Sequence, residues 1–360
     1  MIHTRQETGA ADRKPSSAHV NFSTSAQDWA AQERDFAGKY ELVTLFAGAG
    51  AWDLAARDLG EPSVGIERDK DTCATRRAAG LATEKGDVRE FSPSDFPAAN
   101  VLVGGPPCNT YSAVGAGAGR RALTEVQHFI QRMAQREDVR THLVAQQARD
   151  ERASLVLEPL RWALTAVDAG HPYQAVVLIQ VPTVLPDWRA MAEVLCAEGY
   201  SVTSGVLRAE EFGVPQTRRR AGLIARRHGV AKLPQPTHQS YRRITAASND
   251  PQLPPCVTMG ETLSRPAPFH VVSNYGSGGD PKARGRRTSE EPAATVTGKF
   301  SRTKVTAMDG TELERLTCAE AGQLQSFPTD YPWSGGDRGQ QIGNATPPLL
   351  ATHILTAALV

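Results

Sequence analysis

Between Tyr40 and Ala225 short apolar runs alternate with amphipathic stretches, and few architectures tolerate that rhythm. Val43-Leu45, Ser63-Ile66, Val101-Val103, Ala175-Val181 and Ala221-Ala225 are rich in β-branched residues and read as buried strands. Trp52-Leu59, Asp71-Ala79, Glu158-Ala169 and Arg189-Ala197 carry helical spacing. Strands separated by helix-length segments predict an α/β fold with a doubly wound sheet.

Two stretches interrupt the rhythm. Residues 121–149 are polar with helical character, inserted after the third of these strands. Residues 227–311 are rich in Pro, Gly, Ser and Arg with little periodicity, which predicts a small loop-rich module. Helical patterning returns in Thr317-Leu324 and Leu349-Leu359. The expected organisation is a loose tail over 1–37, a main domain over 38–226, the module over 227–311, and a segment over 312–360 that completes the main domain. The chain of 360 residues, 40% hydrophobic, is long enough for such a core. Its net charge of +1 announces no global nucleic-acid affinity, so any such surface must be local. Five widely spaced cysteines with no CxxC pair argue against disulfides and zinc and for a reducing, cytoplasmic setting. Nine histidines form no ligand-spaced group, no apolar run has membrane-spanning length, and no metal or membrane role is expected.

Chemistry concentrates where strands end. Gly104-Gly105-Pro106-Pro107-Cys108 follows the run Val101-Val103, and its two prolines bar both helix and ladder. Cys108 is therefore expected on a rigid turn at a strand's carboxyl end, where α/β folds place reactive groups. A lone cysteine is more often an inert small hydrophobe. Phe46-Ala47-Gly48-Ala49-Gly50 forms a strand-to-helix turn whose backbone N–H groups can approach a ligand, although glycines also serve such turns structurally. Glu67 ends the next strand, where a carboxylate accepts from ribose hydroxyls, and Asp87 follows Gly86, where it can accept from an adenine amino group. Together they point to an adenosyl cofactor. Gln216, Arg218 and Arg220 alternate along an extended segment and are expected to point one way into a cleft. Arginines there can donate to a pyrimidine oxygen and to phosphates; the plainer reading is a solvated basic turn.

With these motifs in order, the chain resembles the C5-cytosine DNA methyltransferases from about Leu42 to Leu350. The resemblance rests on Phe46-Gly50, Glu67, Asp87, Gly105-Cys108, Asp150-Glu151-Arg152 and Gln216-Arg220. It continues through Arg315-Leu316-Thr317 with Glu320, Leu324-Gln325-Ser326-Phe327-Pro328 and Gln341-Ile342-Gly343-Asn344-Ala345-Thr346-Pro347-Pro348. It implies a doubly wound, Rossmann-like methyltransferase domain with a target-recognition module, acting as a monomer on double-stranded DNA with S-adenosylmethionine. By resemblance Cys108 is the nucleophile that adds to a flipped cytosine, and Arg218 and Arg220 position the base. Phe46, Gly48, Gly50, Glu67, Asp87 and Asn344 line the cofactor site. The Gly- and Ala-rich stretch Val114-Gly119 suits a lid over DNA, and Lys282, Arg284, Arg286 and Arg287, with Arg242 and Arg243, would face phosphates.

One departure bears on the chemistry. Where the family carries Glu-Asn-Val, this chain reads Ile179-Gln180-Val181, so an isoleucine stands in the place of a glutamate that would bond the cytosine ring N3 and amino group. Smaller departures are Thr44 for an Asp, Ala51 for a glycine, Asn100 for an acidic residue, and Arg68 where an aromatic often stacks on adenine. A catalytically weakened relative that binds cofactor and DNA is therefore the alternative expectation. A tRNA-directed relative would carry a Cys-Phe-Thr signature that is missing here. A nicotinamide oxidoreductase would leave the Pro-Pro-Cys and Gln-x-Arg-x-Arg motifs without a role.

Overall fold

The computed structural model describes residues 42–107, 118–139, 155–241, 252–277 and 280–360. The expected tail over 1–37, Cys108, Asp150-Glu151-Arg152, Arg242 and Arg243 lie outside the described residues.

Seven strands form the main sheet: β1 (Leu42–Leu45), β2 (Ser63–Glu67), β3 (Thr83–Lys85), β4 (Val101–Gly104), β5 (Ala175–Gln180), β6 (Ser201–Arg208) and β7 (Arg219–Arg226). Their spatial order is β3-β2-β1-β4-β5-β7-β6, and every pairing is parallel except those of β7, which runs antiparallel between β5 and β6. The helices are α1 (Ala51–Asp58), α2 (Lys70–Ala78), α3 (Ala118–Ala134), α4 (Glu158–Asp168) and α5 (Leu185–Ala197). One sheet face, with Val43, Ile66, Leu102 and Leu178, is covered by Trp162 of α4, Trp188 of α5 and Ile130 of α3. The other face, with Leu42, Val103, Val177, Ile179 and Ile224, is covered by Trp52 of α1 and by a helix from the far end of the chain, Pro348–Leu359. Burial on both faces explains why the central strands read as unbroken apolar runs.

Strand order reverses between β1 and β4, so the two turns that leave those strands flank the switch point where open α/β sheets bind ligands. The glycine turn and the Gly105-Pro107 turn are thus neighbours, and the Gly105 N–H reaches the Leu45 carbonyl at 3.5 Å.

The region expected to be loop-rich contains a second sheet. After a short helix α6 (Met259–Thr262), strands β8 (Phe269–Ser277), β9 (Asp280–Thr288), β10 (Lys304–Ala307) and β11 (Glu312–Leu313) pair antiparallel in the order β11-β10-β8-β9. Phe269, Val271 and Val305 join a small core with Met259, Val296, Phe300 and Leu324. Each alternating stretch is short and interrupted by Gly and Arg, which hides the period. The strand Glu312–Leu313 also shows that the sheet continues just past residue 311.

Three helices close the chain: α7 (Cys318–Leu324), α8 (Arg338–Asn344) and α9 (Pro348–Leu359). Thr317 and Glu320 form a capping box that starts α7. Phe327 and Tyr331 pack with Ala51, Leu54 and Ala345, which sets this late segment against the helix that follows the first glycine turn.

Candidate active site

Five sequence-predicted positions, with Gln180 beside them, lie along the carboxyl edge of the main sheet in one spatial row. Asp87 follows β3, Glu67 ends β2, Phe46-Gly50 follows β1, Gly105-Pro107 follows β4, Gln180 ends β5, and Arg220 is the second residue of β7. Adjacent strands are about 4.8 Å apart, so Asp87 and the Pro106 turn are separated by about 14 Å.

The glycine turn is built by left-handed backbone. Phe46, Gly48 and Gly50 have φ of 56°, 57° and 101°. A Cβ on Gly50 would lie 2.1 Å from a Leu81 methyl, so only glycine fits there. The Glu67 carboxylate fixes the turn: its Oε2 accepts the Gly48 N–H at 2.9 Å and its Oε1 accepts the Asp69 N–H at 2.8 Å. Each oxygen keeps a lone pair for a further donor. From behind, Arg76 is fully buried and forms a bidentate pair with Asp53 at 2.8 and 2.9 Å, and it also donates to the Ala82 carbonyl and the Thr83 hydroxyl. Tyr331 donates its hydroxyl to the Ala49 carbonyl, and burial raises its pKa well above the usual tyrosine value.

Asp87 accepts from Arg89 at 2.7 Å and from Arg68 at 3.1 Å. Hydrogen bonding from the Arg89 guanidinium holds its carboxyl down at about 2. Arg68, at the position of the family's stacking aromatic, is thereby tied to the carboxylate that the resemblance assigns to adenine. Asn344 ends α8, where its Oδ1 accepts from Gln340 at 2.7 Å. The fit to an adenosyl cofactor is good on the residues themselves: a backbone cradle that excludes side chains, a carboxyl acceptor beside it, and a second, anionic acceptor one strand further out. Thr44 adds a buried hydroxyl with no partner among the described residues, just below the turn.

On the other half of the row, Pro106 and Pro107 lead into Cys108, whose own placement is outside the described residues. The Ile179 side chain is 3% exposed and packs with Ala209, Phe212 and Val214. Its Cγ2 lies 3.7 Å from where a Cβ on Gly105 would stand. Gln180 leaves the strand on the opposite face, as neighbouring strand residues must, and its amide donates to the Pro106 carbonyl.

The basic segment differs from the simple picture of three side chains pointing into a cleft. Gln216 and Arg218 are 0% and 1% exposed. The Arg218 guanidinium donates to the Val296 carbonyl at 3.0 Å and the Gly343 carbonyl at 2.8 Å, and burial pushes its pKa down. Gln216 donates to the Gln325 side chain at 2.6 Å and accepts the Val296 N–H at 2.8 Å, while Gln325 donates to the Ile342 carbonyl. These groups join the main sheet, the second sheet and α8. Only Arg220 of the three is at the open edge, half-buried, where it donates to the Arg219 carbonyl at 3.0 Å. This buried polar junction was missed in the sequence because its partners, Gln325 and several backbone groups, come from distant segments.

In the second sheet Arg287 stacks on Tyr241 with 4.2 Å to the ring centroid and donates to Pro292 and Thr217. Arg286 is exposed and contacts His270 Nδ1 at 2.9 Å. Among the described residues no helix is long and apolar enough to cross a membrane, and no three His, Cys, Asp or Glu side chains group as metal ligands.

Comparison with known proteins agrees with this geometry. The family model of C-5 cytosine-specific DNA methylases matches residues 40–130 and 184–265. The interval between these matches contains Ile179 and Gln180. The chain is 28% identical to the Type II methyltransferase M1.HphI of Haemophilus parahaemolyticus, covering 88% of this chain and 86% of that one. It is 25% identical to M.BspRI of Lysinibacillus sphaericus, covering 88% and 80%. Among solved structures, the S. pombe Dnmt2 methyltransferase superimposes with a TM-score of 0.56 at 14% identity, over 88% of this chain and 98% of that one. The Entamoeba histolytica methyltransferase EhMeth gives 0.57 at 10% identity, over 89% and 98%. Those two similarities establish the Rossmann-like methyltransferase fold. With the sheet-edge row, the family match and the full-length relatives in agreement, the chain belongs to the C5-cytosine DNA methyltransferase family, whose methyl donor is S-adenosylmethionine.

Proposed function

We propose that this protein methylates C5 of a flipped cytosine in double-stranded DNA through a covalent bond to Cys108, as the modification enzyme of a cytoplasmic restriction–modification system. The observation that carries this reading is the spatial row along the sheet edge, in which the Phe46-Gly50 turn and the Gly105-Pro107 turn flank the switch point. Glu67 would hold the ribose hydroxyls, Asp87 the adenine amino group, and the Phe46-Gly50 backbone the remainder, with Asn344 closing the site from α8. The bound cofactor supplies an electrophilic methyl group.

Cytosine C5 is a weak nucleophile, so the reaction needs a group that donates electrons into the ring. The Cys108 thiolate adds to C6 and makes C5 enamine-like. After C5 takes the methyl group, its proton leaves to base, the C6–S bond breaks, and the thiolate is released. Arg220, at the open edge, would donate to the pyrimidine oxygen. Arg218, with two donors committed to backbone carbonyls, would hold the segment that presents Arg220. The module over 227–311 would carry target choice, with Arg286 in position to meet phosphate.

A specific observation favours a second reading. Ile179 places a buried apolar side chain beside Gly105, where the family's glutamate would meet the base. Loss of one such preorganised contact slows reactions by about 10²–10³. The protein would then bind cofactor and DNA with little methylation.

Tritiated methyl transfer to DNA, combined with trapping on DNA containing 5-fluorocytosine, tests both. The first reading expects transfer and an adduct on Cys108 that Cys108→Ala abolishes. An adduct that survives Cys108→Ala rejects the assignment, and binding without transfer favours the second reading.

A further inference from the structure

With a glutamate missing at position 179, the adjacent Gln180 is the obvious substitute for contacting the base. Its surroundings give it another task. The turn that leads to Cys108 is poor in donors: neither Pro106 nor Pro107 has an N–H, and the one N–H of Gly105-Pro107 goes to Leu45. The Pro106 carbonyl therefore needs a donor from elsewhere. Gln180 Nε2 supplies it across the β4–β5 boundary. Gln180 Oε1 accepts the Val181 N–H at 2.7 Å, which ends the strand and fixes the amide's orientation. The amide is thus used at both ends, and the two bonds assign its nitrogen and oxygen without ambiguity.

We propose that Gln180 is a positioning residue that clamps the Pro106 carbonyl to the end of β5, fixing the turn from which Cys108 emerges, and that it does not contact the base. The proposal rests on the reading of Cys108 as the nucleophile. A small displacement of a nucleophile costs up to about 10² in rate, so a clamp two residues away is enough to govern turnover. The charge logic separates the two roles. A carboxylate at 180 cannot donate to Pro106 and sets an oxygen against an oxygen. If instead the residue faced cytosine N3 and the amino group, a carboxylate would restore the family's chemistry.

The test compares Gln180→Ala, Gln180→Asn and Gln180→Glu in the full chain. Single-turnover methyl transfer should fall at least about tenfold in Gln180→Ala and in Gln180→Glu, with cofactor and DNA affinities within about twofold of wild type. Gln180→Asn, which keeps the amide, should recover part of the rate. Transfer by Gln180→Glu above wild type, or an unchanged rate in Gln180→Ala, overturns the proposal. If wild type transfers no methyl group, the first reading above has failed, and iodoacetamide alkylation of the free protein still reads the clamp. The Cys108 alkylation rate should then shift at least about threefold in Gln180→Ala, with Cys73, Cys196, Cys256 and Cys318 as unchanged internal controls. An unshifted Cys108 rate rejects the clamp on its own.

Discussion

Ile179 and Gln180 leave β5 on opposite faces, and their fates differ accordingly. Ile179 joins the core shared with α1 and α9, close to Gly105. Ile179→Glu would set a carboxyl at the edge of that core, where a bound cytosine could share its proton. The expected outcome is a gain of about 10² or more in single-turnover methylation over wild type. No gain over an already robust wild type would mean that the base is held from another side. Asp87 gives a pH prediction of definite sign. Its pKa is lowered to about 2 by Arg89, so the carboxylate is ionised above that value and its contribution is lost only as pH falls through it. Cofactor affinity measured by calorimetry should therefore show no Asp87-linked change between about pH 5 and pH 8. Glu67→Ala should weaken the same binding, since that side chain orients Gly48 and, in the proposed pose, would accept from the ribose; equal affinity would sink that pose.

Elements of the main sheet were legible where burial on both faces made them continuous. The strands predicted at Val43-Leu45, Ser63-Ile66 and Val101-Val103 appear within a residue at each end. β3 was missed because Thr83-Lys85 is short and polar, and β6 because an edge strand with a half-exposed, Gly-containing sequence has no clear alternation. α5 begins at Leu185 rather than Arg189, since Pro186 sits in the first turn, where its missing N–H costs nothing. The site was legible as motifs, but the Asp53–Arg76 pair behind the glycine turn was not, because nothing in the sequence joins α1 to α2. That pair makes a stability prediction. Arg76→Met strands the buried Asp53 carboxylate and should cost about 3–5 kcal/mol in denaturant unfolding, most of it recovered by adding Asp53→Leu. Equal losses in the single and double variants would show that packing, not the stranded charge, dominates.

Across the whole molecule, the second sheet is attached to the first through the buried junction of Gln216, Arg218, Gln325 and Val296. Backbone carbonyls make up much of that junction, so a different module can be seated on it if the extended backbone near Val296 is kept. Exchanging residues 227–311 with the corresponding segment of a relative should change which DNA sequence is methylated while leaving cofactor affinity unchanged. An unaltered methylation pattern, read by bisulfite sequencing, would reject the division of labour between the two sheets.

The helix Pro348–Leu359 has a consequence in time as well as in space. It covers the sheet face that carries Leu42, Val103 and Val177, yet it is synthesised after the entire second sheet. On the ribosome, the strands that cradle the cofactor turn are made early but stay bare on one side until Leu350, Ile354 and Leu355 arrive. Tyr331 reaches the Ala49 carbonyl only shortly before. The nascent chain therefore exposes an apolar sheet face through most of its translation, and the glycine turn stays without its Tyr331 contact over the same interval. Chaperone dependence in the cell should track how fast the second sheet is translated, independently of the stability of the finished fold.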